Sequence, residues 1–175
     1  MFDSKIIILP VYLNTPLNDT MARIVRDAAA YWQSRHLIAI GPVLRNPSTI
    51  SLASYDWATV RDYLASIGYP LDDPMVSYLT IFGGVTWENA AGWGVRPMAL
   101  VGELAVDYSR SAAWEEWNRA VGLIAHELGH VLGYGHQTNS VMWEWWNGVN
   151  APLPITTPMA HLASVDTTNC PLPDK

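Results

Sequence analysis

His126-Glu127-Leu128-Gly129-His130-Val131-Leu132-Gly133-Tyr134-Gly135-His136 is the stretch from which the rest of the chain is read. His126 and His130 stand four residues apart, a spacing that on an α-helix puts two imidazoles on one face, one turn apart, within reach of one metal ion. Glu127 adjoins the first of them, where a carboxylate can touch a metal-coordinated water without binding the metal. Gly133 lets the chain leave the helix, because glycine adopts positive φ at little cost, and the turned chain can bring His136 back as a third ligand. Three neutral histidines leave a fourth tetrahedral position for water, the arrangement of catalytic rather than structural zinc sites.

The pattern H-E-x-x-H-x-x-G-x-x-H fixes five positions, and the chain's own residue frequencies give roughly one chance match in 10^5 chains of this length. The plainer alternative makes these ordinary surface or core histidines on an amphipathic helix.

On these residues the chain resembles the metzincin clan of zinc endopeptidases. The resemblance is strong over residues 119–143 and compatible over the N-terminal half. It implies a methionine-bearing turn beneath the metal, for which Ser140-Val141-Met142 offers Met142. The short gap and the run from Gly135 to Met142 are most similar to the matrixin branch. Two departures stand out. Trp143-Glu144 replaces the Tyr-Pro usual in matrixins after the methionine, and Glu144 stands where astacins place a metal-contacting tyrosine, so no tyrosine ligand is carried over. The resemblance also implies that the segment after the methionine lines the pocket for the residue following the scissile bond. Trp143, Trp145 and Trp146 lie there; they either point inward and make the pocket apolar or pack against the last helix, as tryptophan commonly fills cores.

The tail from Asn169 to Asp174 reads Asn-Cys-Pro-Leu-Pro-Asp, similar to the Cys-x-x-Pro-Asp element of matrixin pro-segments, whose thiolate occupies the open zinc position. Cys170, Pro173 and Asp174 match. Asn169 stands where an arginine is usual, and the element follows the catalytic stretch instead of preceding it. Cys170 is thus either an inhibitory zinc ligand, since a thiolate binds zinc strongly, or a free thiol in a frayed tail.

The chain has 175 residues, half of them hydrophobic, which suits one domain with a sizeable core. We expect a single catalytic domain over residues 1–175, with an upper part to about 135 and a lower part from about 136. A formal charge of −6 argues against general nucleic-acid binding, which needs a basic face. The longest strong apolar run, residues 6–9, is strand-sized, so no membrane span is expected. Met1-Phe2-Asp3-Ser4-Lys5 does not read as a signal peptide, which makes the cytoplasm the default location unless export uses another route. Cys170 is the one cysteine, so no disulfide forms within a chain. A monomer is the default state.

Residues 5–13 read as a first strand buried on both faces, with Pro10 hinting at an edge or a bulge. A helix follows to about residue 35, with Ile24, Ala28, Tyr31 and Trp32 on one face at helical spacing. Residues 37–44 read as a short strand, 55–67 as a helix, 75–82 as a strand, 83–94 as a glycine-rich loop and 98–108 as the last strand. Ser111 can cap the active-site helix over about 112–132, with Glu115 and Glu116 near its positive end. Thr157-Pro158 starts a short last helix to about 165; His161 there reads as a surface residue. The expected class is α+β: a mixed twisted sheet packed on the active-site helix and an N-terminal helix, with a short C-terminal subdomain after the third zinc ligand.

The chemistry implied is hydrolysis of a peptide bond in a peptide or protein substrate with one Zn2+ as cofactor and Glu127 as general base. Two rivals share the residues: a zinc hydrolase acting on cell-wall peptides, and a non-catalytic zinc-binding structural protein. Glu127 weighs against the latter, because a structural site favours four protein ligands and needs no carboxylate beside an open position.

Overall fold

The run Ile6-Ile7-Ile8-Leu9 continues through Leu13 as β1 (Ile6–Leu13), an interior strand of the sheet. In the computed structural model the described residues are 5–16, 19–33, 36–45, 49–87, 90–110, 114–136 and 141–142. After β1 come α1 (Asp19–Gln33), β2 (Ile38–Ile40), β3 (Leu44–Arg45), α2 (Trp57–Ser66), β4 (Val76–Phe82), β5 (Gly92–Val95), β6 (Met98–Val101), α3 (Glu103–Arg110) and α4 (Trp114–Val131). The sheet has six strands in the order β2-β1-β4-β6-β5, with β3 also paired to β1. All pairings are parallel except β5 with β6.

Strand alternation divides the core. Ile6, Ile8, Tyr12, Leu79, Ile81, Ala99 and Val101 face one way and meet the buried stripes of α1, α3 and α4. Val11, Leu13, Tyr78, Phe82, Met98 and Leu100 face the other and meet Val60 and Leu64 of α2. The expected mixed sheet on an N-terminal and an active-site helix is therefore present, with α2 added as a layer on the opposite face. Asp56 caps α2, its carboxylate accepting from the Thr59 N–H at 2.9 Å. Ile24, Ala28, Tyr31 and Trp32 are all buried, as their spacing predicts.

Several element boundaries differ from the sequence reading. Pro10 is not at an edge; it faces a bulge-like slip in register, where Leu9 and Pro10, between the paired residues Ile8 and Val11, stand against the three residues 41–43 between Ile40 and Leu44. Even-numbered residues of β1 bond toward β2 and β3, as Ile6 and Ile8 do, while Ile7 and Leu13 bond toward β4. The missing N–H of Pro10 therefore points at the interruption between β2 and β3, where no ladder bond is lost. That interruption also splits the strand read over 37–44; Gly41 sits there against the Leu9 and Ile7 side chains, where a Cβ would collide. The strand read over 98–108 stops at Val101. Beyond Gly102 the buried residues Ala105, Val106 and Ser109 recur at helical spacing, and Arg110 bridges to Glu103 at 2.9 Å and Asp107 at 2.8 Å. β5 hides in the glycine-rich loop because two of its four residues, Gly92 and Gly94, carry no side chain to show alternation. Ser111, the helix read over 158–165, His161 and the lower subdomain beyond residue 142 lie outside the described residues. No described helix is long and apolar enough to cross a membrane.

Trp32 ties α1 to α4. Its indole is fully buried, and its N–H donates to the Ala125 carbonyl at 2.8 Å. Trp32→Phe should lower the unfolding free energy by about 2 kcal/mol, from the lost hydrogen bond and part of the ring volume. Urea denaturation checks this; an unchanged midpoint would contradict the packing described.

Candidate metal centre

Leu123, Ile124, Ala125, Leu128 and Val131 hold α4 against the sheet and α1, so its remaining face carries His126, Glu127 and His130. The helix ends in a Schellman motif. The N–H of Tyr134 donates to Gly129 O and that of Gly133 to His130 O, both at 3.0 Å, with Gly133 at φ 94°. This is the turn that brings His136 round. The Nε2 atoms of His126 and His136 each lie 3.1 Å from that of His130. Among the described residues these three form the one cluster able to hold a metal ion.

The other ring nitrogens decide what the cluster can do. His126 Nδ1 lies 2.7 Å from Val141 O, and His130 Nδ1 lies 2.9 Å from Tyr134 O. A carbonyl oxygen only accepts, so both Nδ1 atoms carry the proton and both Nε2 atoms of the neutral rings present bare lone pairs. Bare lone pairs this close repel unless a cation lies between them. Protonation is a poor remedy: burial, reinforced by the neighbouring rings, pushes His126 down to about 3, and burial pushes His130 down to about 4. Two nitrogens bound to one tetrahedral zinc lie about 3.3 Å apart. The donor set therefore fits a zinc ion, and the two carbonyls are the orienting partners that metal-ligating histidines usually have. No sequence signal named Val141 O or Tyr134 O, because backbone acceptors carry no residue identity.

Glu127 is 4% exposed, and burial raises its carboxyl well above the usual carboxylate range. Its Oε2 has no hydrogen-bond partner among the described residues. β5 runs directly over it. A Cβ on Gly92 would come 2.8 Å from Glu127 Cγ and Oε1, and one on Gly94 would come 2.3 Å from Glu127 O. Only glycine lets the strand approach the helix this closely. On the opposite side, Met142 is fully buried; a Cβ on Gly129 would lie 2.2 Å from its sulfur and 2.6 Å from the Trp32 ring. The structure thus brings His126, Glu127, His130, His136 and Met142 together. Trp143, Trp145, Trp146 and Cys170 lie outside the described residues.

Residues 103–164 match the model of a family described as a putative peptidase family. No curated protein matches the chain. Among solved structures, the fold is similar to that of a zinc-dependent peptidase from Methanocorpusculum labreanum, with 16% identity, a TM-score of 0.53, and coverage of 78% of this chain and 87% of that one. It is also similar to archaemetzincin from Methanopyrus kandleri, with 17% identity, a TM-score of 0.54, and coverage of 80% and 81%. At these identities the likeness establishes the fold alone: the chain folds as those zinc peptidases do, with two histidines of its cluster on α4 and the third just beyond it.

The depressed histidines have a consequence for the metal-free protein. Unfolded histidines bind protons below about 6.5, whereas His126 and His130 in the fold resist them until about 3 and 4. Stability present above 6.5 should therefore be lost as the pH falls from 6.5 toward 4. Glu127, raised in the fold, acts in the opposite sense. Replacing both histidines by glutamine should flatten the acid limb of a pH series of urea midpoints; an unchanged acid limb would contradict the buried neutral rings.

Proposed function

We propose that this protein is a zinc-dependent endopeptidase. The observation carrying the reading is the convergence of three imidazole Nε2 atoms, two of them oriented by carbonyls, beside a buried carboxylate. The peptidase-family match over residues 103–164 and the shared fold support a peptidase. His126, His130 and His136 would hold one Zn2+. When bound, the ion supplies Lewis acidity, polarising a scissile carbonyl and making a water acidic near neutral pH. Glu127 accepts the proton of the attacking water and later delivers it to the leaving amine. Its raised affinity for a proton suits both halves of that transfer. Met142, wedged under Gly129, forms the floor of the site. The sequence run from Gly135 to Met142 is the feature most similar to the matrixin branch.

The open edge supports an endopeptidase. β5 ends the sheet, and among the described residues no strand pairs with its outer side. An extended peptide can add there by backbone hydrogen bonding, which requires no free terminus of the substrate. Cell-wall peptides would use the same chemistry, so a diverse peptide library is the discriminating substrate.

Purified protein should hold close to one zinc per chain and cleave such a library in a chelator-sensitive way. His130→Ala should lose most of the metal. Glu127→Gln should keep zinc and fold but lose at least ~10^2-fold in rate, the low end for removing general-base catalysis. Full zinc retention in His130→Ala would sink the ligand set, and undiminished cleavage by Glu127→Gln would remove it from the mechanism.

Two finer parts of the proposal concern the residues beyond Met142. Trp143, Trp145 and Trp146 would either line an apolar pocket for the residue after the scissile bond or pack against the last helix, and Cys170 would be either an inhibitory zinc ligand or a free thiol; substitutions decide between them. Trp145→Ala and Trp146→Ala should each shift the cleavage profile, and Cys170→Ser should raise basal activity; unchanged profiles and equal activity would dismiss the pocket and the inhibitory ligand.

A further inference from the structure

The turn after α4 serves the metal centre twice. The carbonyl of Tyr134 accepts from His130 Nδ1 at 2.9 Å, and two residues later the chain presents His136. The Schellman bonds hold the start of this turn, but they leave open where the chain beyond Gly133 points. The side chain of Tyr134 settles that. Its ring stacks on Trp32 with centroids 4.8 Å apart at 25°, and its hydroxyl lies 2.7 Å from His36 Nε2, across 98 residues of sequence. His36 follows α1, its N–H donating to Trp32 O at 3.0 Å, and its ring meets that of Tyr134 edge-on at 5.5 Å. Trp32 is itself pinned to α4 through Ala125 O. A stacked ring can still slide and rotate in its plane; a hydrogen bond at its far end removes that freedom.

We infer that His36 and Tyr134 are a positioning pair for the metal centre: the bond between the imidazole and the phenol sets the height and angle of the turn that aims His130 through a carbonyl and presents His136. This rests on the zinc reading above. The bond joins these two side chains to each other, so breaking it leaves all three ligands in place and loosens their convergence. Groups hydrogen-bonded directly to a ligating histidine typically change metal affinity by about 10- to 100-fold, which bounds from above a pair acting one step further out.

The test is a competition titration of zinc against a chromophoric chelator, with the visible spectrum of the cobalt-substituted protein and the thermal midpoint of the metal-free protein measured alongside. Tyr134→Phe keeps the stacked ring and removes only the hydroxyl. His36→Ala removes the other partner, and His36→Gln restores a group able to hydrogen-bond at the position of Nε2. Tyr134→Phe and His36→Ala should each raise the zinc Kd about tenfold, and the double variant should be no weaker than the worse single one. His36→Gln should recover most of the affinity, and the cobalt spectrum should change in the two weakened variants while the metal-free midpoints stay close to wild type. Wild-type Kd values in both single variants, additive losses in the double variant, or losses that follow the metal-free midpoint would overturn the pair. If wild type itself takes up no zinc while folding normally, the zinc reading fails and the pair falls with it. Tight binding by wild type, lost in His130→Ala and untouched in Tyr134→Phe and His36→Ala, would remove the pair alone.

Discussion

Two hydrogen bonds from imidazole to carbonyl govern this molecule. By drawing the protons of His126 and His130 onto Nδ1, Val141 O and Tyr134 O leave bare lone pairs facing one another 3.1 Å apart. A lone helix would relieve such a conflict by rotating side chains or by taking up a proton. Here the rotation is blocked by the orienting bonds, and the proton is disfavoured by burial. The arrangement is a poor resting place for three rings without a cation and a good one with it. The remaining architecture can be understood as what holds those two carbonyls and three rings in position.

That holding is done by close approach on two sides of one helix. β5 reaches α4 through Gly92 and Gly94, which lets the sheet edge lie against Glu127 with no side chain between them. Gly129 does the same on the other side, where Met142 and Trp32 press against the helix. The cost of glycine in a helix, about 1 kcal/mol relative to alanine, is offset by contacts that a Cβ would exclude. The burial that results is also what raises the proton affinity of Glu127, so packing and chemistry come from the same contacts.

The histidine cluster was legible in the sequence because a metal site demands particular side chains at particular helical spacing, and His126, His130 and His136 show both. The stripe Ile24, Ala28, Tyr31 and Trp32 was legible for the same periodic reason. What escaped reading was carried by backbone or by long-range contact. Val141 O and Tyr134 O are acceptors that every residue type possesses. β5 is half glycine, so it lacked the alternation that marks a strand. α3 begins with Glu103-Leu104-Ala105-Val106, four residues whose apolar members fit a strand continued from β6 as well as a helix; Gly102 and the bridging of Arg110 to Glu103 and Asp107 decide the matter in three dimensions. Pro10 argued for an edge or a bulge; the register slips by one residue opposite it, between β2 and β3, so the rule is satisfied on an interior strand.

The central claim is that three imidazoles, pre-aimed by the fold, hold one cation. X-ray absorption at the zinc edge of the purified protein, brought to one zinc per chain, tests it most directly. The account predicts a first shell with three imidazole nitrogens at about 2.0–2.1 Å and the outer-ring scattering of three histidines. A shell with two imidazoles or fewer, or one unchanged by His136→Ala, would contradict it.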